Sequence, residues 1–377
     1  MALACLDHHP DPVPRPGRRG PRPLALHLGL ARVVRDAAEP EAVDPLQAFV
    51  RGLRAYWRHP YRRKAAGAPA IWRLGAVRLL NYGPEGGLPL LAVPSLVNRA
   101  YILDLAPEFS LLGWLAGRGV RPLLLDWGDP GPEERRLTLS GYVAERLEPA
   151  LDAVLSAVGR PPVVLGYCMG GLLALALAVR RPGAIAGLAL LATPWDFHAG
   201  GLDPKRFERL ARSALASADA LGALPVELIQ ALFAGIDPLQ VPRKLARFAE
   251  LDPASPEAAT FVAVEDWLND GVPLAAEVAR ECLLGWYVEN RPARGSWRIA
   301  GTPVWPDALN LPSLVAIPAR DRIVPPESAA ALAGALRDPT VLRPAGGHIG
   351  MLVGTGARHG LRAPLAVWLR QIAAMRK

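Results

Sequence analysis

The segment Gly166–Gly171, with the sequence GYCMGG, constrains the fold of this chain more than any other part of its sequence. It follows a short apolar run, Pro162–Leu165, and precedes the helix-forming run Leu172–Val179. A strand, a sharp turn and a helix in this order hold a nucleophile in a strained backbone conformation, so the flanking positions need residues without bulk. The helix N-terminus points its dipole and free N–H groups at the sulfur, which favours the nucleophilic thiolate. We therefore interpret Cys168 as a catalytic nucleophile rather than an inert cysteine in a packing turn.

The composition limits the classes of protein that fit this chain. Its 377 residues, 51% of them hydrophobic, suffice for one large domain or two modest ones. The net charge of +8 comes mostly from scattered arginines without a nucleic-acid motif, so we expect anionic substrates rather than nucleic acid. The three cysteines, Cys5, Cys168 and Cys282, lack the paired spacing of a disulfide framework or a zinc site, and we expect no metal.

The sequence also predicts where the protein works. No apolar run reaches the roughly 18 residues that a membrane helix requires, and the N-terminus has no apolar signal region. A free cysteine in the turn needs a reducing compartment. We therefore expect a cytoplasmic protein without a membrane span.

The N-terminal part of the chain divides into two segments by composition. Residues 1–23 are dense in proline, arginine and glycine, so we expect a disordered tail that is dispensable for folding. Residues 24–66 form an N-terminal helical segment, with a helix over Asp44–Trp57 that Asp44 caps. A basic and aromatic cluster follows and forms either a partner-binding surface or a solvated helix end; it comprises Trp57, Arg58, His59, Tyr61, Arg62, Arg63 and Lys64.

From Ala76 onward, short apolar strands alternate with helices. The predicted strands, besides the one before Cys168, are Ala76–Asn81, Leu88–Val93, Pro122–Asp126, Ala186–Leu191, Ser313–Ile317 and Thr340–Arg343. The predicted helices include Ser110–Ala116, a helix capped by Ser140 that runs to Val158, and Pro364–Met375. This pattern indicates a doubly wound α/β fold with a mostly parallel sheet, formed by residues 67–197 and 301–377. Residues 198–300 are predicted to be helical and strandless, as an inserted helical cap.

Two returning strands supply partners for the cysteine. Asp321 follows the strand Ser313–Ile317, and His348 follows the strand Thr340–Arg343 in the sequence GGHIG. Loops at the carboxyl ends of parallel strands converge on one crevice, so these residues can meet Cys168 there. The chain order of nucleophile, acid and histidine is the order expected of an α/β-hydrolase.

Each partner has an alternative. Asp321 could instead cap a helix or pair with an arginine, and Asp126, which also ends a strand, is the leading alternative acid. The remaining histidines lie outside the loops at the ends of the core strands, and they are His8, His9, His27, His59, His198 and His359.

Several unlinked motifs resemble, in order, those of the polyhydroxyalkanoate synthases, which polymerise hydroxyacyl-coenzyme A. These motifs are Val93–Leu105, Asp126–Gly128, Gly166–Gly171, Thr193–Phe197, Glu265–Trp267, Asp321–Pro325 and Gly347–Gly350. The resemblance extends from Val93 to the C-terminus and is to the short class, which works with a separate partner subunit. Ser95 departs from it, because the family commonly has a second proline there, and the long N-terminal domain of single-subunit synthases is absent.

The resemblance implies that the catalytic cysteine, aspartate and histidine fall on Cys168, Asp321 and His348. We expect Cys168 to attack a 3-hydroxyacyl-coenzyme A and release coenzyme A, with His348 as general base and Asp321 orienting the imidazole. The backbone N–H groups of Met169 and Val97 would form the oxyanion hole. Coenzyme A enters as substrate, and no other cofactor is expected.

The implied partners are the growing polyester chain or granule surface, and either a partner synthase subunit or a second copy of the chain. The predicted cap carries four aromatic residues suited to excluding water, although each could simply pack in a core: Trp267, Trp286, Tyr287 and Trp297.

Three other functions remain open at this stage. A cysteine hydrolase of the dienelactone hydrolase type has the same triad but is shorter and lacks the helical insertion. A thioesterase or esterase differs only in using water instead of a hydroxyl as the acceptor. A non-catalytic granule-associated protein would have no use for all three chemical residues.

Overall fold

The computed structural model describes residues 18, 20–36, 44–64 and 67–375. Within these residues, the strands are β1 Ala70–Leu74, β2 Val77–Asn81, β3 Leu88–Val93, β4 Val120–Asp126, β5 Val163–Tyr167, β6 Gly187–Leu191, β7 Ala223–Leu224, β8 Leu274–Ala275, β9 Arg298–Ile299, β10 Thr302–Pro303, β11 Ser313–Ala316 and β12 Thr340–Leu342.

The α-helices of the described residues are α1 Leu24–Asp36, α2 Pro45–Arg58, α3 Leu111–Ala116, α4 Leu139–Gly141, α5 Glu148–Val158, α6 Met169–Arg180, α7 Pro204–Leu221, α8 Val226–Ala234, α9 Gln240–Phe248, α10 Pro256–Asn269, α11 Ala276–Arg280, α12 Pro326–Ala335, α13 Gly350–Val353 and α14 Ala363–Met375. Segments of π-helix occupy Tyr142–Leu147, Glu281–Val288 and Arg358–Arg362. Short 3-10 helices occupy Ala100–Leu103, Pro107–Phe109, Glu134–Arg136 and Pro306–Ala308.

Eight strands form one sheet in the order β1-β2-β4-β3-β5-β6-β11-β12. The β1–β2 and β2–β4 pairs are antiparallel, and all the others are parallel. Strands β5 and β6 are buried along their whole length, as strands in the middle of a parallel sheet with both faces covered should be. The predicted α/β-hydrolase fold, with its mostly parallel doubly wound sheet, is confirmed.

Strand β1 was not predicted. It lies at the edge of the sheet, and four of its five residues are exposed. An edge strand with this exposure does not need the apolar run that reveals a central strand, so its sequence carries a weak signal.

The predicted cap at Ser140 is wrong. Thr138 caps the helical stretch that begins at Leu139, because its side-chain oxygen accepts the N–H of Gly141 at 3.2 Å. The Ser140 hydroxyl instead accepts the backbone N–H of Ala300 at 2.8 Å. Both residue types favour N-caps, and a partner distant in sequence decides which one is used.

The prediction that residues 198–300 contain no strands is also wrong. Strands β7, β8 and β9 lie in this range: β7 pairs with β8, and β9 pairs with β10 just beyond it, in two antiparallel ribbons. Each of these strands has two residues, which is too short to leave an alternating pattern in the sequence.

The described residues divide into two compact units. The first comprises the described part of Met1–Arg62 together with Asp237–Asn269, and the second comprises Arg63–Ile236 and Asp270–Lys377. The first unit has its own apolar core of Ala31, Phe49, Tyr56, Leu245, Phe248, Ala258 and Val262. The segment 198–300 thus contributes helices to both units, and its role as a single cap stays a proposal.

Helices α2 and α9 approach each other closely at Gly52 in the first unit. A side-chain carbon at this position would lie 1.9 Å from the carbonyl oxygen of Leu245. Asp44 caps α2 as predicted, accepting the N–H groups of Leu46 and Gln47. Helix α1 lies within the predicted helical segment 24–66, although its bounds were not predicted.

Arg18 shows that the predicted tail is partly ordered. Its guanidinium donates to the carboxylate of Asp266 at 2.9 Å and to the carbonyl oxygens of Tyr56, His59 and Tyr61. All three nitrogen atoms of the guanidinium group have acceptors, and the Arg18 side chain is only 5% exposed. The expectation of disorder is therefore wrong for Arg18, and the rest of the tail before it lies outside the described residues.

The segment after Arg18 also contacts other parts of the first unit. The indole N–H of Trp57 donates to the carbonyl of Gly20, and the backbone N–H of Arg22 donates to the side chain of Asn269. Trp57 and Tyr61 pack against the core of this unit, so packing accounts for both rings. Among the described residues, no helix has both the length and the apolar character that crossing a membrane would require.

Candidate active site

Cys168 lies in the sharp turn between β5 and α6. Its φ of 55° and ψ of −128° are unusual for a residue with a side chain, and such strain costs about 1–3 kcal/mol. The turn is fixed on both sides: the N–H of Cys168 donates to the carbonyl of Leu191 at 2.8 Å, and its own carbonyl accepts the N–H of Gly171 at 2.9 Å. The cysteine is therefore held at the carboxyl end of the sheet, beside β6.

Two glycines let α6 start directly beneath this turn. A side-chain carbon on Gly166 would lie 2.4 Å from the Cα of Gly171, and one on Gly171 would lie 1.9 Å from the hydroxyl oxygen of Thr193. Real carbon contacts are never this short, so only glycine fits at either position. The predicted requirement for residues without bulk beside Cys168 thus has a steric cause.

Asp321 and His348 meet in the loops after β11 and β12. The Nδ1 atom of His348 lies 2.7 Å from Oδ2 of Asp321, and the Asp321 side chain is fully buried. The other oxygen, Oδ1, accepts the backbone N–H groups of Ile323 and Val324, each at 2.9 Å. The carboxylate therefore has a fixed orientation before it meets the imidazole.

The imidazole of His348 also lies beside the side chain of Cys168. Burial alone lowers the pKa of His348, but the charge of Cys168 and the hydrogen bond with Asp321 outweigh it and raise this pKa to about 10. The Tyr167 ring packs 5.1 Å from the His348 ring, and its hydroxyl donates to the His348 carbonyl at 3.3 Å. The arrangement favours a cationic imidazole beside Cys168.

The alternative acid, Asp126, has a different partner. Its carboxylate pairs with Arg78 on the neighbouring strand β2 and accepts the N–H of Gly128. Strand β4, which Asp126 ends, is separated from β5 by β3. Asp321, and not Asp126, is therefore the carboxylate beside His348.

The described histidines other than His348 do not join this cluster. His27, His59 and His198 each bond a backbone carbonyl through Nε2, those of Arg22, Pro253 and Tyr287. His359 is exposed. His8 and His9, like Cys5, lie outside the described residues.

The comparisons with known proteins agree with this fold. Residues 104–355, more than half of the chain, match the family described as alpha/beta hydrolase fold. The chain is 30% identical to the poly(3-hydroxyalkanoate) polymerase subunit PhaC of Synechocystis sp. over 316 residues, which cover 80% of this chain and 84% of that protein. This chain belongs to the poly(3-hydroxyalkanoate) polymerase family.

Further members of the polymerase family show a similar relationship. The subunit PhaC of Allochromatium vinosum is 29% identical, with 76% of this chain and 83% of that protein covered. That of Haloferax mediterranei is 30% identical, with 80% of this chain covered. The chain spans 63% of the length of the Haloferax protein.

The solved structure of a hydrolase from Pseudomonas aeruginosa shares the fold of this polymerase-family chain. It has a TM-score of 0.50 and 17% sequence identity, and the match covers 82% of this chain and 99% of that one. At this identity the likeness concerns the fold alone.

The predicted oxyanion residues lie at two positions of this polymerase-family chain. Met169 is the first residue of α6, where a backbone N–H has no acceptor within the helix. Val97 lies in the loop after β3, where its N–H is 3.4 Å from the Ser95 hydroxyl and its carbonyl accepts the N–H of Val272. Their role in binding an oxyanion stays a prediction.

Three of the four predicted cap aromatics form one cluster in the second unit. The rings of Trp286 and Trp297 lie 5.7 Å apart, and Phe197 contacts both Trp286, at 5.7 Å, and Tyr287, at 4.8 Å. Trp267 instead is buried in α10 of the first unit. The four aromatic residues therefore do not form a single cluster, and their joint role as a cap stays a prediction.

Asn290 was given no role from the sequence, yet its side chain links the backbone of Phe197 to the carboxylate of Asp196. Its φ is 53°, and its side-chain amide donates to Asp196 and accepts the N–H of Phe197. An asparagine before an Arg-Pro pair is the only signal of it in the sequence. Across the described residues, no three side chains from histidine, cysteine, aspartate and glutamate are grouped so as to hold a metal ion.

Proposed function

We propose that this chain is the catalytic subunit of a polyhydroxyalkanoate synthase, an acyltransferase that polymerises 3-hydroxyacyl-coenzyme A. One observation carries the proposal: in a chain of the polymerase family, the cysteine of the strained turn lies beside a histidine whose ring is hydrogen-bonded to Asp321. A thiol nucleophile suits this substrate, because exchanging one thiolate for another at an acyl carbon is nearly neutral in energy.

The first half-reaction loads the enzyme. The sulfur of Cys168 attacks the carbonyl carbon of the acyl-coenzyme A, while His348 holds the proton of the thiol. The carbon–sulfur bond to coenzyme A then breaks, and the departing thiolate takes the proton from the imidazolium. The N–H groups of Met169 and Val97 would bind the oxyanion of the tetrahedral intermediate.

The second half-reaction builds the ester. The 3-hydroxyl of another acyl group attacks the Cys168 thioester, and its proton passes to His348. The new carbon–oxygen bond forms, the bond to sulfur breaks, and the imidazolium stands again beside the thiolate. Asp321 would stabilise the cationic imidazole in both half-reactions.

Partners and location follow from the same proposal. The relatives are named as polymerase subunits, which supports a requirement for a second subunit or a second copy of this chain. The growing polyester would keep the enzyme at the granule surface. The acceptor separates this function from a thioesterase, because water would give a soluble acid.

The test is to incubate the purified protein with 3-hydroxybutyryl-coenzyme A and follow thiol release together with the product. Thiol release accompanied by insoluble polymer is the expected result. Cys168→Ala should abolish thiol release without unfolding the protein, and Cys168→Ser should retain little of it, because an alcohol is a much weaker acid and nucleophile than a thiol. A soluble hydroxy acid as the main product would replace the synthase with a thioesterase.

A further inference from the structure

Tyr287 lies among aromatic rings near the proposed nucleophile. Its ring is 4.8 Å from that of Phe197 and is stacked on Phe207 at 5.0 Å. Phe197 lies in the segment that leaves the sheet after β6, and Cys168 is hydrogen-bonded to Leu191, the last residue of that strand. The chain therefore leads from the carboxyl end of β6 beside Cys168 to the ring contacts of Tyr287.

A set of hydrogen bonds fixes the backbone on both sides of this contact. Asp196 accepts from the N–H of His198 at 2.9 Å and from the side-chain amide of Asn290 at 2.8 Å. Asn290 in turn accepts the N–H of Phe197 at 3.0 Å, and the His198 ring bonds the carbonyl of Tyr287 at 3.1 Å. The Tyr287 side chain thus extends from a backbone that is tied to the segment after β6.

The Tyr287 hydroxyl is a free hydrogen-bonding group. Among the described residues it has no hydrogen-bond partner, whereas the hydroxyl of Tyr167 bonds the His348 carbonyl. Burial raises the pKa of Tyr287, and the negative charges of Cys168 and Cys282 raise it further, so the phenol stays protonated at neutral pH. Cys168 contributes more to this rise than Cys282 does.

The chemistry of a 3-hydroxyacyl group indicates what this donor binds. Near the thioester such a group has two oxygen atoms, the carbonyl oxygen on C1 and the oxygen on C3. The carbonyl oxygen would be bound by the predicted oxyanion hole at the start of α6, which leaves the oxygen on C3 for the phenol. A neutral hydroxyl suits this atom as a free alcohol and also as the ester oxygen of a growing chain, since both accept a hydrogen bond.

We propose that the Tyr287 hydroxyl binds the C3 oxygen of the acyl group held at Cys168, and that it selects 3-hydroxyacyl over unsubstituted acyl groups. This inference rests on the proposed function for its substrate class. Phe197 and Phe207 beside the phenol supply an apolar surface for the carbon chain. A site built to hydrogen-bond a substrate hydroxyl disfavours the analogue that lacks it, because the protein group is then left unpaired.

The test compares 3-hydroxybutyryl-coenzyme A with butyryl-coenzyme A, which lacks the C3 oxygen. The ratio of kcat/KM for coenzyme A release from the two compounds should fall about three- to tenfold in Tyr287→Phe, through loss on the hydroxylated substrate alone. Tyr142→Phe is the matched control, because Tyr142 is a buried tyrosine whose ring packs on Trp127, and its ratio should equal that of the wild type.

A binding measurement keeps this test independent of turnover. In a Cys168→Ala background, calorimetry should show the same three- to tenfold loss of discrimination when Tyr287 becomes phenylalanine. An unchanged ratio in both measurements, an equal loss on both compounds, or no preference in the Cys168→Ala parent would overturn the assignment. If Tyr287→Phe loses the discrimination but the product is a soluble acid, the assignment of Tyr287 is upheld and the proposed polymerase function is wrong.

Discussion

The Nδ1 atom of His348 lies 2.7 Å from one oxygen of Asp321, while the other oxygen accepts two N–H groups of its own loop. The donors Ile323 and Val324 belong to the segment that directly follows the aspartate. The loop after β11 therefore sets the orientation of the carboxylate, and the carboxylate sets that of the imidazole.

Asp321→Asn should lower kcat/KM for coenzyme A release by roughly hundredfold to ten-thousandfold, because the amide oxygen would keep the two backbone N–H groups and turn its NH₂ towards His348. The histidine would then carry its proton on the nitrogen that must accept one from Cys168. His348→Ala should lose more, and the double variant should be no worse than His348→Ala. Asp152→Asn, at an exposed carboxylate, is the control. If the losses in the double variant were the sum of the two single losses, Asp321 and His348 would act independently, which would contradict their joint role in catalysis.

The imidazole of His348 should remain protonated well above neutral pH, as nitrogen NMR of the labelled ring would show. Because the charge of Cys168 is the largest cause that raises this pKa, Cys168→Ala should lower it. The folded pKa lies above the usual 6.5, so the charged histidine stabilises the fold fully below pH 6.5 and progressively less as the pH rises towards about 10. An imidazole that titrates near pH 6.5 in both proteins would contradict the raised pKa of His348.

Gly171→Ala should destabilise the protein by about 1–3 kcal/mol, because the new methyl group would overlap the Thr193 side chain. Adding Thr193→Ala should recover part of the loss, since it removes the two nearest atoms. Gly334→Ala in α12 is the control, because nothing lies within 4 Å of the added carbon. Denaturant unfolding measures all four proteins, and equal stability for Gly171→Ala and wild type would refute the tight approach.

The strands around Cys168 could be predicted because buried parallel strands need short, continuous apolar runs. Asp321 and His348 followed from the rule that loops at the carboxyl ends of such strands converge, and the structure places them within hydrogen-bonding distance of each other. Their catalytic roles are still predictions, but their meeting place needed no knowledge of side-chain contacts.

The features that could not be predicted depend on partners distant in the chain. The exposed edge strand β1 is defined by its pairing with β2, and the choice of Thr138 over Ser140 as a cap depends on Ala300. The fixed position of the Arg18 side chain depends on a hydrogen-bond acceptor 248 residues later in the chain, the carboxylate of Asp266. No local composition rule contains such a contact.

Arg18→Ala should destabilise the first unit by about 1–3 kcal/mol, because it removes hydrogen bonds from a buried guanidinium to a carboxylate and three carbonyl groups. Arg35→Ala removes an arginine whose carboxylate partner, Asp36, is exposed, and it should leave stability unchanged. Thermal unfolding of the full chain measures both. Equal melting temperatures for Arg18→Ala and wild type would mean that the tail is dispensable for folding after all.

In the proposed reaction the acyl group passes through a thioester on Cys168. Rapid quenching of the protein with 3-hydroxybutyryl-coenzyme A, followed by mass spectrometry of the intact chain and its peptides, tests this most directly. We expect a hydroxybutyryl adduct on the peptide that contains Cys168, formed as fast as coenzyme A is released and absent from Cys168→Ala. Release of coenzyme A by a folded Cys168→Ala protein, or an adduct on another residue, would contradict it.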